Sequence, residues 1–166
     1  MQTVDFADPR QLDTVDPKEI QADSEPLAVA IGIPPTTIGP NDAYTGYRVK
    51  ADRGPDNEKI YLVMFGLRHW IWGESTYNNL FRDWSGVLRF PTTDALREVI
   101  PETVSLTPGA CLAKSSDSDP IYLINENRRL WVSSPAVMDK FYFDWGKVIV
   151  VPDNIITSIP LGPNLI

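Results

Sequence analysis

The chain has 166 residues, 43% of them apolar, which is enough for a real core and excludes disorder throughout. A formal charge of −7 leaves no Lys/Arg excess to neutralise phosphates and argues against nucleic acid or an anionic membrane as partner. The single cysteine, Cys111, rules out an internal disulfide, and no apolar run approaches the ~20 residues of a membrane span, so no membrane insertion is expected.

Residues 1–26 carry seven acidic and two basic side chains and read as an extended or mobile acidic arm. Asp16-Pro17 could cap a short helix there, and residues 15–27 bear a faint likeness to 151–161. Asp5, Asp8, Asp13 and Asp16 stand where a secretory signal would carry basic residues, so no signal peptide is read. Residues 27–43 form a lead-in: the apolar run LAVAIGI (27–33), bounded by Pro34-Pro35, suits a buried strand, and 36–43 collect loop residues.

The rest of the chain is a duplication. Residues 60–91 lie over 121–152 without gaps, with nine identities in 32 positions: Ile, Tyr, Leu, Arg, Trp, Asp, Trp, Val and Pro. Upstream, 46–51 align with 109–114 as a first strand, which puts Cys111 where the first copy has Arg48. Residues 60–63 and 121–124 read as a second strand, 68–71 and 129–132 as a third, giving a meander with tight turns at Gly66 and at 125–127. A helical period follows over 75–81 and 135–142, with Ser75 and Ser134 as N-caps and Pro135 in a first turn. A fourth strand over 87–90 and 148–151, a helical turn, and Ile100-Pro101 or Ile159-Pro160 close each copy.

These elements predict a β-rich α+β fold: two pseudo-symmetric β-β-β-α-β repeats, 44–104 and 105–166, packed as one globular domain. A unit of about 60 residues is marginal alone, which is the reason to pair two.

The pattern Tyr-Leu, Arg-x-Trp, Asp-Trp, Val and a closing Ile-Pro-x-Gly resembles a short tandem repeat of bacterial extracellular and cell-wall-associated proteins, over roughly residues 44–166. The second copy keeps Ile159-Pro160-Leu161-Gly162, whereas the first departs with Ile100-Pro101-Glu102-Thr103. The resemblance implies a cell-surface or extracellular setting and no particular ligand or cofactor.

A sugar ring packs its C–H face on an aromatic plane while polar groups hold its hydroxyls, and two repeats give avidity. The candidate ligand-binding residues are therefore Trp72, Trp70 and Trp131 with Arg68, Arg129, Tyr61 and Tyr122. Trp72 has no counterpart in the second copy and is expected to be exposed; Trp70 and Trp131 fit either a core or a sugar platform; Trp84 and Trp145, beside a strand, are expected in the core. The matched charges Arg68/Arg129 and Asp83/Asp144 suit internal ion pairs or turn caps better than ligand contacts.

No catalytic set stands out. His69 becomes Leu130 in the second copy and Cys111 sits on a strand, so both read as structural; the acidic loops lack calcium-loop spacing, and no metal or cofactor is expected. The sequence thus points to a non-catalytic module binding carbohydrate through exposed aromatic and polar residues. The rival reading is a protein-interaction or self-assembly module.

Overall fold

A computed structural model describes residues 38–166; the expectations for the acidic arm, for a strand over 27–33 and for a repeat at 15–27 lie outside the described residues. The fold is the expected β-rich α+β type, with one five-stranded and one four-stranded sheet.

The first copy begins with a 3-10 turn, Asp42–Tyr44, capped by the Asn41 side chain, and continues as β1 (Arg48–Ala51), β2 (Ile60–Met64) and β3 (Leu67–Ile71). Then come α1 (Glu74–Leu80), β4 (Leu88–Phe90), α2 (Thr93–Arg97) and β5 (Glu102–Leu106). The second copy repeats the order: β6 (Cys111–Ser115), β7 (Ile121–Asn125), β8 (Arg128–Val132), α3 (Pro135–Lys140), β9 (Ile149–Val151) and α4 (Asp153–Thr157). The first three strands of each copy form an antiparallel meander, and the fourth returns parallel to the first, giving the orders β4-β1-β2-β3-β5 and β8-β7-β6-β9.

Three local readings change. Ser134 does cap α3 through the Val137 N–H (3.3 Å), but α1 starts two residues earlier than Ser75 would allow, after Gly73 in a left-handed conformation and without a side-chain cap. The first copy gains β5, whose counterpart in the second is reduced to isolated parallel bridges, Arg129 with Leu161 and Val132 with Leu165. Gly162 and Pro163 interrupt that segment, and proline cannot donate to a ladder. Finally, Val49 pairs with Tyr61 and Leu88, whereas Ala113 pairs with Tyr122 and Ile149, so Val49 matches Ala113 and Arg48 matches Leu112. Cys111 therefore takes the place of Tyr47, one residue from the position that the sequence alignment gave it.

The described residues fall into two compact units that do not follow the repeat boundary. The first combines the described residues up to Trp70 with Ser85–Val104. Its core is one face of the first sheet, Val49, Ala51, Tyr61, Val63, Leu88 and Phe90, buried with Tyr44 and Tyr47 and with Ala95 and Leu96 of α2. The second combines Ile71–Trp84 with Ser105–Ile166. In it α1 and α4 pack on β6 and α3 on β8, and the rings of Tyr77, Phe81, Phe143 and Phe141 form a chain of contacts with centroids 4.7–5.7 Å apart. Each buried ring of this kind is worth roughly 1.5–3 kcal/mol of burial. The helix of the first copy thus contributes buried side chains, Tyr77 and Leu80, to the core of the second unit.

Candidate functional site

Trp72 apart, the candidate residues occupy equivalent places in the two copies, and their surroundings decide which can meet a ligand. Tyr61 lies directly opposite Trp70, and Tyr122 directly opposite Trp131, as cross-strand pairs. An arginine covers each tyrosine: Arg68 at 5.0 Å from the Tyr61 ring centre and Arg129 at 4.8 Å from that of Tyr122.

In the first copy this trio is absorbed into the fold. Tyr61 and Arg68 are buried, which removes them from any ligand surface. The Arg68 guanidinium donates to the Ile100 carbonyl and, at 3.1 Å, to Glu102, while burial raises the Tyr61 phenol above its ordinary range. Trp70 is half-buried against the core with the Lys59 ammonium 4.5 Å from its ring. The expectation of an internal ion pair for Arg68 holds.

In the second copy the same face is more open. Tyr122 and Arg129 are half-buried and Trp131 is 37% exposed. The core cluster around Tyr61 includes the large side chains Tyr47 and Phe90, and the strand registers put the smaller Cys111 and Val151 in their places in the second copy. Arg129 still has a structural duty, its Nε donating to the Ile159 carbonyl at 2.8 Å.

Trp84 and Trp145 were expected in the core and are not: they are 45% and 48% exposed. Trp84 lies nearly flat on buried Tyr77, centroids 3.8 Å and planes 16° apart, and its indole N–H donates to Asn78 at 3.1 Å. One face of its ring is therefore held rigidly and the other is turned outward. Asp83 accepts a hydrogen bond from the Tyr142 hydroxyl (2.8 Å), and Arg82 reaches Asp139 and the Phe143 carbonyl. Asp144 caps the 3-10 turn Trp145–Lys147 through the Gly146 N–H, a turn-capping duty as expected for that carboxylate. The signal that placed these tryptophans outside was present in the sequence: Asp-Trp-Ser-Gly and Asp-Trp-Gly are turn-forming contexts.

Trp72 is exposed as expected, at 51%. Its backbone is fixed at both ends, the N–H donating to the Leu106 carbonyl and the C=O accepting from the Thr76 hydroxyl. Four of the five tryptophans, Trp72, Trp84, Trp131 and Trp145, are thus exposed, and all four belong to the second compact unit.

The remaining reactive groups are turned inward. His69 is buried, with Nδ1–H donating to the Val104 carbonyl at 2.7 Å, and burial holds its pKa below the ordinary imidazole value. Burial likewise pushes the Cys111 thiol up, away from thiolate chemistry. Among the described residues no group of three or more His, Cys, Asp or Glu is placed to hold a metal ion, and no helix is long and apolar enough to cross a membrane. Comparison with family models, with curated proteins and with solved structures found no match to this chain.

Proposed function

We propose that the protein is a non-catalytic carbohydrate-binding module of extracellular or cell-wall type, whose ligand surface belongs to the second compact unit. The observation that carries this reading is the concentration of four exposed tryptophans in that unit, one of them braced flat on a buried tyrosine. A rigid, half-exposed indole offers a sugar ring a plane at no further ordering cost, and Asn78, to which the indole N–H donates, supplies hydroxyl partners together with Arg82 and Asp83 just before Trp84 in the chain. Two residues kept in both copies, Trp84 and Trp145, are solvent-exposed, so the needs of the core do not explain their retention. The motif resemblance to tandem repeats of bacterial extracellular proteins supports the same setting.

The test is a glycan array and cell-wall polysaccharide pull-down, followed by intrinsic tryptophan fluorescence titration of each hit. The expected result is a glycan that shifts the emission and loses affinity in at least one of Trp72→Ala, Trp84→Ala, Trp131→Ala and Trp145→Ala. No bound glycan, or a bound glycan whose affinity survives all four substitutions, sinks the proposal.

A further inference from the structure

The two copies treat the edge strand differently. Among the described residues of the first copy β4 ends the sheet, and Asp52 N–H donates to the Phe90 carbonyl, so Leu88 and Phe90 turn their backbone groups inward to β1 and Arg89 turns its own outward. Arg89 is a charged residue, 59% exposed and paired with Asp52 at 2.6 Å, which is how natural edges discourage strand addition. Among the described residues of the second copy β9 ends the sheet in the same register: Ser116 N–H donates to the Val151 carbonyl, and Val150 directs its N–H and C=O away from β6. Here the outward residue is an uncharged β-branched one, 62% exposed, next to exposed Ile149 and followed by exposed Ile155.

We propose that β9 is a self-association edge, pairing antiparallel with β9 of a second copy of this chain about a two-fold axis through Val150. Two observations favour a second copy over an unrelated strand. Antiparallel pairing centred on Val150 sets Ile149 opposite Val151, so the apolar residues 149–151 match themselves. The same symmetry sets each residue three before Val150 toward the residue three after it, which brings Lys147 of each copy to Asp153 of the other. Lys147 bonds the Phe81 carbonyl and approaches Asp144, and Asp153 accepts from Ser115; both retain the charge the partner needs. Such an interface is isologous and closes at two chains, which limits growth to a dimer. A three-residue edge makes it weak and concentration-dependent.

Sedimentation equilibrium of the full chain is expected to show a reversible dimer, and Val150→Arg, which restores the charge found at Arg89, is expected to give a monomer with unchanged far-UV circular dichroism. A second variant guards against loss of fold. A hydrogen-bonded antiparallel pair sets the two Cα atoms about 5.5 Å apart, within disulfide range, so Val150→Cys in a Cys111→Ser background should oxidise to a covalent dimer, and Val104→Cys in the same background should not. A chain that is monomeric up to its solubility limit overturns the proposal. So does a dimer that persists in Val150→Arg, or a Val150→Cys protein that crosslinks no better than Val104→Cys.

Discussion

The Arg129 guanidinium donates to the Ile159 carbonyl at 2.8 Å, and the Arg129 backbone N–H donates to the carbonyl of Pro160 next to it at 3.0 Å. Arg68 makes the same pair of contacts to Ile100 and Pro101, again with its side chain and its N–H. One residue thus clamps the Ile-Pro that closes its copy, which accounts physically for an arginine and an Ile-Pro surviving together in both repeats. Replacing Arg129 by methionine keeps the stem and removes a charged hydrogen bond, at a cost of about 1.5–3 kcal/mol in urea unfolding. Arg68→Met should cost more, because Arg68 is buried and also pairs with Glu102. Equal, negligible effects at both sites would refute the clamp.

Gly66 and Gly109 both have positive φ, +72° and +98°, yet their surroundings differ. A Cβ on Gly66 would come within 2.5 Å of the Asn41 backbone nitrogen, where the Asn41 N–H donates to the Gly66 carbonyl; a Cβ on Gly109 would meet nothing within 4 Å. Gly109→Ala is expected to cost only the left-handed conformation, about 1–2 kcal/mol. Gly66→Ala must also move backbone and should cost at least ~3 kcal/mol. Thermal denaturation of the two variants side by side gives the comparison, and a smaller loss at Gly66 would contradict the packing.

Trp84 and Trp145 are equivalent in sequence but not in support. Trp84 shields the Tyr77 ring and bonds Asn78, so Trp84→Ala should destabilise by about 1–2 kcal/mol through the lost stack and the uncovered tyrosine. Trp145 opens a 3-10 turn whose buried residues are none, and Trp145→Ala should cost less than about 1 kcal/mol. A cost of 3–5 kcal/mol at Trp145, the signature of a core aromatic, would show that the exposed position is wrong.

Much of this architecture was readable from the duplication, because residues that serve the fold are kept where their contacts recur. The cross-strand Tyr–Trp pairs, the arginine clamps and the meander all rest on such matches. The first strand was misaligned by one residue because both its faces carry apolar side chains, so alternation gives no register; the match of Lys50 with Lys114, both half-buried, was the available cue. β5 was missed because its second-copy counterpart is broken by Gly162 and Pro163, and a repeat argument underrates an element that only one copy completes. That α1 belongs with the second unit follows from its packing on β6 and from the ring contact of Phe81, which ends the helix, with Phe143, which no local pattern encodes. At the candidate site, retention of Trp84 and Trp145 suggests the core, but the Asp-Trp turn context carries more weight than retention.

His69 gives the structure a pH response whose sign follows from its surroundings. It is buried on β3, opposite Leu62, with Arg48 on the same face one strand further and Val104 on β5 as carbonyl partner. The imidazole is held below its ordinary value by burial, against the smaller opposing pull of its backbone hydrogen bonds. In the unfolded chain it titrates near 6.5. Well above that value both states are neutral at His69 and the residue contributes no pH dependence. As the pH falls through about 6.5 the unfolded state takes up a proton that the folded state resists, so stability is lost on acidification until the folded imidazole also protonates. Urea unfolding midpoints between pH 7.5 and 5 should therefore decrease for the native chain. His69→Leu, which installs the residue that the second copy has at Leu130, should flatten that part of the profile at some loss of the Val104 hydrogen bond. A slope of the same size in His69→Leu would mean that the acidic side chains, and not this imidazole, govern the acid response.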